Sequence, residues 1–234
     1  MIYRQLLLDL HRSQIPSFDN FVPGANAELL ERLRQLAEPQ ETDALYLWGP
    51  AGSGRSHLLR ATASAAVAEP GRPVVAYRGE DLPDALELPR GALLIVDDID
   101  RLSPAAQITL FRLYNSARLG GYGLLLSGPQ PPQALALRED LRTRVGQCLI
   151  FSLQPLTDEE KAAALQRHAE RRSMRLEEAV VQYLLRHGRR DLPSLLAAVD
   201  ALDHASLELK RPPTLPLLRE VLDAVESEGT SHSE

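Results

Sequence analysis

Cysteine, lysine and long apolar runs are all scarce in this 234-residue chain, and each shortage removes a class of explanation. A single cysteine, Cys148, allows neither a disulfide framework nor a thiolate metal site. The six histidines (11, 57, 168, 187, 204 and 232) fall at no spacing that would ligate a metal together. No apolar stretch approaches the ~20 residues a membrane helix needs, and the N-terminus lacks a signal-peptide pattern, so a soluble, cytoplasmic protein without membrane contact is expected. Of 26 basic residues only Lys161 and Lys210 are lysines. The formal net charge of −6 argues against a chain that wraps DNA. What remains is ample core material: 44% hydrophobic residues, enough for one or two domains.

The strongest local signal is Gly49-Pro50-Ala51-Gly52-Ser53-Gly54-Arg55-Ser56. It follows the apolar run Ala44–Trp48 and leads into the helix-like His57-Leu58-Leu59-Arg60-Ala61. A strand, a glycine loop and a helix N-terminus make a phosphate cradle, because bare backbone N–H groups and the positive helix end face the same anion. The spacing is that of a P-loop, with Arg55 where lysine is usual and Ser56 placed to hold Mg²⁺. General arginine bias is a weak explanation for Arg55, since the two cations differ at a phosphate.

A second signal follows some 40 residues later. The run Ala92–Val96 ends in Asp97-Asp98, the pattern of a buried parallel strand delivering carboxylates at its C-terminal edge. In P-loop enzymes the first acid holds the metal shell, and a neighbouring acid orients or deprotonates water.

The remaining pattern alternates. A turn-rich lead-in at 18–26 precedes a helix over 27–37. A helix after the P-loop runs to about Ala68, and Val74–Tyr77 reads as a strand. Residues 79–90 suggest a short helix and loop, Pro104 opens a helix to about Leu119, and strands are expected at 124–127 and 148–153. Strands alternating with helices predict an α/β fold with a doubly wound parallel sheet. After Pro155 the pattern is all-helical: a capping box at Thr157–Glu160 opens a helix to about 172, with others over 177–187, 192–208 and 215–226. The expected organisation is an N-terminal tail (1–16), a nucleotide domain (17–155), a small all-helical lid (156–226) and a disordered tail (227–234). Within the first tail, Gln5-Leu6-Leu7-Leu8-Asp9-Leu10 reads either as a short packing element or as a linear peptide whose leucines fill a partner's pocket.

These pieces together resemble the DnaA-related AAA+ family: the AAA+ domain of the bacterial replication initiator DnaA and, more closely, the short branch of DnaA regulatory inactivators. The resemblance covers nearly the whole chain. It rests on Gln5, Leu6, Leu8 and Leu10, on Phe21 with Pro23-Gly24 and Asn26, and on Leu45–Trp48. It continues through Gly54-Arg55-Ser56-His57, Leu113-Tyr114-Asn115, Gly128 with Pro131-Pro132, and Leu153–Lys161. The P-loop arginine also resembles the inactivator branch.

The resemblance implies roles residue by residue. Gly49, Pro50, Gly52, Ser53, Gly54, Arg55, Ser56 and His57 would hold the nucleotide, ADP or ATP. Asp97 and Ser56 would hold Mg²⁺, with Asp98 beside them. Arg144 falls at the arginine-finger position. Arg190, or its neighbour Arg189, falls at the lid arginine called sensor 2. Gln5, Leu6, Leu8 and Leu10 match the peptide that docks on the DNA polymerase III β sliding clamp. Leu7 and Asp9 depart from the usual serine and proline between those anchors. Pro129 stands where the family pattern places a polar sensor near the γ-phosphate.

The expected function is regulation of replication initiation. The protein would hold ADP, bind the DNA-loaded clamp, and use Arg144 to trigger hydrolysis of DnaA-bound ATP, with little turnover of its own. Self-association into a dimer or higher oligomer is open. The alternatives are an autonomous AAA+ ATPase acting as a replication or transposition loader, and a nucleotide-independent adaptor between clamp and DnaA.

Overall fold

The computed structural model describes residues 16–68, 71–189 and 191–229, with residues 118 and 225–229 described by their backbone alone. They fall into two compact units, one over Pro16–Pro155 and one beginning at Leu156.

The first unit is built on five parallel strands: β1 (Ala44–Trp48), β2 (Val74–Arg78), β3 (Leu93–Asp97), β4 (Gly123–Gly128) and β5 (Leu149–Ser152). Their order across the sheet is β2-β3-β4-β1-β5, so successive strands are joined by crossovers. The interleaved helices are α1 (Ala27–Ala37), α2 (Arg55–Val67), α3 (Pro104–Gly120) and α4 (Glu139–Val145).

The two-residue period of a strand divides the core in two. Leu45, Leu47, Leu93, Ile95 and Leu125 pack with Leu29, Leu30, Leu33 and Leu36 of α1 and with Leu58 and Leu59 of α2. The alternate residues Tyr46, Leu94, Val96, Leu124 and Leu126 pack with Leu110, Leu113 and Ala117 of α3 and Leu141 and Val145 of α4. The apolar runs are continuous because the central strands have helices on both faces. At the edge strand β5, Leu149 and Ile150 stay partly exposed.

Local chemistry sets the boundaries. Ser103 caps α3 through the Ala106 N–H, Pro104 follows in the first turn, and Gly121 ends the helix in the left-handed region. The region 79–90 holds a short 3₁₀ helix, Gly79–Asp81, and a loop, the short helix and loop expected there. Pro83 and Pro89 lack the N–H groups that a longer α-helix would need.

At the N-terminal ends of the strands lies Arg72, 3% exposed. Its guanidinium donates to five carbonyls: Leu36 (3.1 Å), Glu38 (3.0 Å), Glu41 (2.8 Å), Gly91 (2.8 Å) and Ala92 (2.6 Å). It ties the C-terminus of α1 to the segments leading into β1 and β3.

The second unit comprises α5 (Asp158–Arg171), α6 (Glu178–His187), α7 (Leu192–Leu209) and α8 (Leu215–Gly229). Thr157 and Glu160 form the reciprocal capping box that opens α5. Leu165, Val181, Leu184, Val199, Leu202, Leu217 and Leu218 make a separate core. Arg172, just past α5, pairs with Asp200 (2.9 Å) and Asp203 (3.6 Å) on α7. The last helix continues to Gly229, beyond the expected stop at 226, because nothing in Ser227-Glu228 breaks it.

Candidate nucleotide site

Parallel strands bring their C-terminal ends to one edge, and the chemistry collects there. The P-loop leaves β1 at Gly49, whose N–H donates to the Gly128 carbonyl at the end of β4 (3.3 Å). The loop turns through Ser53 N–H to Pro50 O (3.2 Å) and passes Gly52 and Gly54, both at positive φ. Gly54 is the N-cap of α2 at φ 102°, and a Cβ there would come 2.9 Å from the Phe21 ring. Only glycine meets both conditions. With no side-chain cap on this terminus, the first-turn N–H groups remain open to an anion.

Ser56, in that first turn, donates its hydroxyl to Asp97 Oδ2 at 2.6 Å. The P-loop serine and the acid of β3 are therefore brought together as expected of a metal-holding pair. The other oxygen of Asp97 accepts from Ser127 Oγ, and the same Ser127 oxygen accepts from the Asp98 N–H (3.1 Å). Ser127 is fully buried in β4 and braces both acids. It escaped the sequence reading. Its signal is a lone hydroxyl in the apolar run of β4, at the level where β3 turns acidic.

Asp98 adopts a left-handed conformation (φ 55°) and lies 3.1 Å from Arg55 Nη1. Burial, together with the Asp97 charge, pushes its carboxyl above the usual range, and Arg55 works against that shift.

Two polar atoms in the cradle are buried without a hydrogen-bond partner: Ser53 Oγ and Arg55 Nη1. Arg55 Nη1 faces the Asp98 carboxylate, while Ser53 Oγ, in the loop that leads into the bare helix N-terminus, is a donor that fits a phosphate group. Ser56 and Asp97 fit a hard cation, being oxygen ligands already side by side. The residues present therefore suit a nucleotide with Mg²⁺.

The other expected residues are placed as follows. His57 turns away from the loop: its Nε2 lies 3.0 Å from the Ser17 carbonyl and its ring 5.6 Å from that of Phe21, so it fastens the lead-in segment. Asn26 fixes that segment at its other end through reciprocal bonds with the Gln154 backbone (2.9 and 2.8 Å). Pro129 follows β4 directly and has no N–H to offer. Arg144 lies in the last turn of α4, donating to Gln147 Oε1 (3.0 Å), with its guanidinium near the rings of Phe111 (5.9 Å) and Tyr114 (6.0 Å). Arg189 is exposed and pairs with Asp191 (3.5 Å). Arg190 and the clamp-peptide residues Gln5, Leu6, Leu8 and Leu10 lie outside the described residues.

Residues 158–222 match the family model described as the Hda lid domain. Among solved structures, domain III of the Thermotoga maritima replication initiation protein DnaA shares 21% identity, covering 91% of this chain and 97% of its own, with a TM-score of 0.73. AMPPCP-bound DnaA from Aquifex aeolicus shares 18%, covering 82% of this chain and 66% of its own, with a TM-score of 0.64. The Thermotoga maritima RuvB Holliday junction branch migration motor shares 19%, covering 89% and 72%, also with a TM-score of 0.64. At such identities the structural likeness establishes the fold; the lid match is the narrower finding. The chain therefore has a fold like that of DnaA domain III, and its residues 158–222 match the Hda lid domain.

Proposed function

We propose that this protein regulates bacterial replication initiation by holding an adenine nucleotide, ADP in its resting state, and presenting Arg144 to the ATP of a DnaA partner. The observation that carries this reading is the Hda lid domain over 158–222 on a chain with the fold of DnaA domain III. In the same reading, Gln5, Leu6, Leu8 and Leu10 dock the protein on the DNA polymerase III β sliding clamp. The peptide alone would bind at about micromolar strength, and sharing a clamp and its DNA with DnaA would raise the effective concentration.

The chain's own residues support the division of labour. The P-loop backbone, Ser53 and the N-terminus of α2 would bind the phosphates, and Ser56 with Asp97 would hold Mg²⁺, which neutralises phosphate charge when bound. Pro129 offers no side-chain donor for a γ-phosphate, which disfavours turnover in this chain. Arg144 is partly exposed in the last turn of α4, and its hydrogen bond to Gln147 is a weak surface tether that a partner's phosphate could replace. An arginine supplied in trans contributes ~10³–10⁵ in rate to phosphoryl transfer.

The test is ATP hydrolysis by DnaA on clamp-loaded DNA, with wild type and Arg144→Ala compared. Stimulation should fall by at least ~100-fold in the variant, an order set by the finger's usual contribution. Binding of ADP should persist, and undiminished stimulation would sink the proposal. The likeness to the RuvB motor favours one other reading, an autonomous AAA+ ATPase working as a loader; steady multiple turnover of ATP by the purified chain would select it.

A further inference from the structure

Arg55 reaches from the first turn of α2 to Asp98, just past the end of β3, placing Nη1 3.1 Å from Oδ1. Its side chain is only 13% exposed. The approach is out of line for a hydrogen bond, so Nη1 has a charge partner and no hydrogen-bond partner. The backbone that carries the acid is pinned. Its N–H donates to Ser127 Oγ, its carbonyl accepts from the Arg101 N–H (3.0 Å), and that carbonyl packs where Gly79 has no Cβ. One charge from the phosphate cradle and one from the acid pair thus hold each other.

We propose that the Arg55–Asp98 ion pair is an internal lock that makes this site select nucleoside diphosphates over triphosphates. Arg55 gives its charge to Asp98 and withholds it from a terminal phosphoryl group. Asp98, tied to Arg55, is withheld from an attacking water. The backbone N–H groups and Ser53 remain for the phosphates nearer the nucleoside. Selectivity then resides in the pair, and removing the acid releases a forked cation that can bind a third phosphate. The inference rests on the reading of this loop as nucleotide-holding and is independent of any action on DnaA.

The experiment is calorimetric titration of the full chain, freed of bound nucleotide, with Mg-ADP and with Mg-AMPPCP. Wild type should prefer ADP at least tenfold. Asp98→Asn should raise AMPPCP affinity about tenfold or more, the worth of one charge-assisted contact, while moving ADP affinity less than threefold. Because losing an acid also relieves plain repulsion, the same change is made in an Arg55→Gln background. There Asp98→Asn should no longer alter the ADP:AMPPCP ratio, since the pair is already broken. An equal shift in both backgrounds would show simple repulsion and overturn the lock, as would an unchanged ratio in Asp98→Asn. Circular dichroism and melting of each unliganded variant establish that it is folded; Arg55→Met, equally uncharged, replaces Arg55→Gln if the latter is not. Failure to stimulate DnaA with this cycle intact would overturn the proposed function alone. Failure of wild type to bind either nucleotide would overturn the lock and the nucleotide-holding reading with it.

Discussion

Two arginines withdrawn from water sit at opposite ends of the parallel strands and are treated differently. Arg72, at the N-terminal ends, meets five carbonyls, two of them at the C-terminus of α1 where a cation is favoured. Burial pulls its guanidinium below the usual arginine range, yet its donors are widely answered within the chain. Arg55, at the C-terminal ends, has one misaligned carboxylate and an Nη1 with no acceptor. Buried polar groups are normally satisfied because each orphan costs on the order of 1–3 kcal/mol. One end of the sheet is closed by its own chemistry, and the other ties its arginine to a single acid and leaves Ser53 Oγ without a partner beside the bare N-terminus of α2.

The sharpest way to break this comparison is at the closed end. Arg72→Met keeps the apolar stem and removes every donor, leaving carbonyls from three segments without a charge-assisted partner. A loss of about 3 kcal/mol or more is expected from such a network. Urea unfolding followed by circular dichroism would measure it, and a loss under about 1 kcal/mol would show that water replaces the guanidinium readily. Because the chain has two units, the transition of the first should move while that of the second stays in place.

The open end has a closed feature of its own in Ser127. Ser127→Ala removes one donor from Asp97 and the acceptor of the Asp98 N–H. The expected cost is about 1–2 kcal/mol, smaller because the acids keep Ser56 and Arg55. The same variant should weaken Mg²⁺-dependent nucleotide binding several-fold, through loss of Asp97 orientation. A melting point and an ADP affinity both equal to wild type would remove Ser127 from the site.

What the sequence revealed follows from how local each signal is. The P-loop, the acid that ends β3 and the Thr157 capping box each lie within a dozen residues, and each strand of the sheet is itself a short apolar run where the pattern predicts. Ser127 needs the β3–β4 register, which sets Val96 beside Leu126 and so Asp97 near the hydroxyl. Arg72 needs three segments to converge, and nothing around Gly71-Arg72-Pro73 announces that. The Arg55–Asp98 pair joins residues 43 apart, and the sequence shows only that Arg55 is unusual. His57 matched the family's P-loop context, yet its ring bonds a carbonyl 40 residues earlier.

The helical unit extends the comparison at lower stakes, because its polar groups are again answered from within. Asp191 caps α7 by accepting the Ser194 N–H at 2.9 Å. Burial pushes its carboxyl up, but the Ser194 side-chain and backbone bonds, with help from Arg189, hold it below the usual range. The sign follows from linkage. A carboxyl whose folded pKa is depressed adds stability that is fully present above its unfolded value of 3.8 and is lost as pH falls through the folded value. Asp191→Ala should cost about 1 kcal/mol at neutral pH, the usual worth of an N-cap. Asp191→Asn keeps an acceptor for the cap and should cost only a few tenths, while flattening the acid limb of the stability curve. Melting of the helical unit at pH 7 and near pH 3.5 would separate the two. If both variants melt alike at both pH values, the cap contributes little and the packing of Leu195, Val199 and Leu202 sets the start of α7 instead.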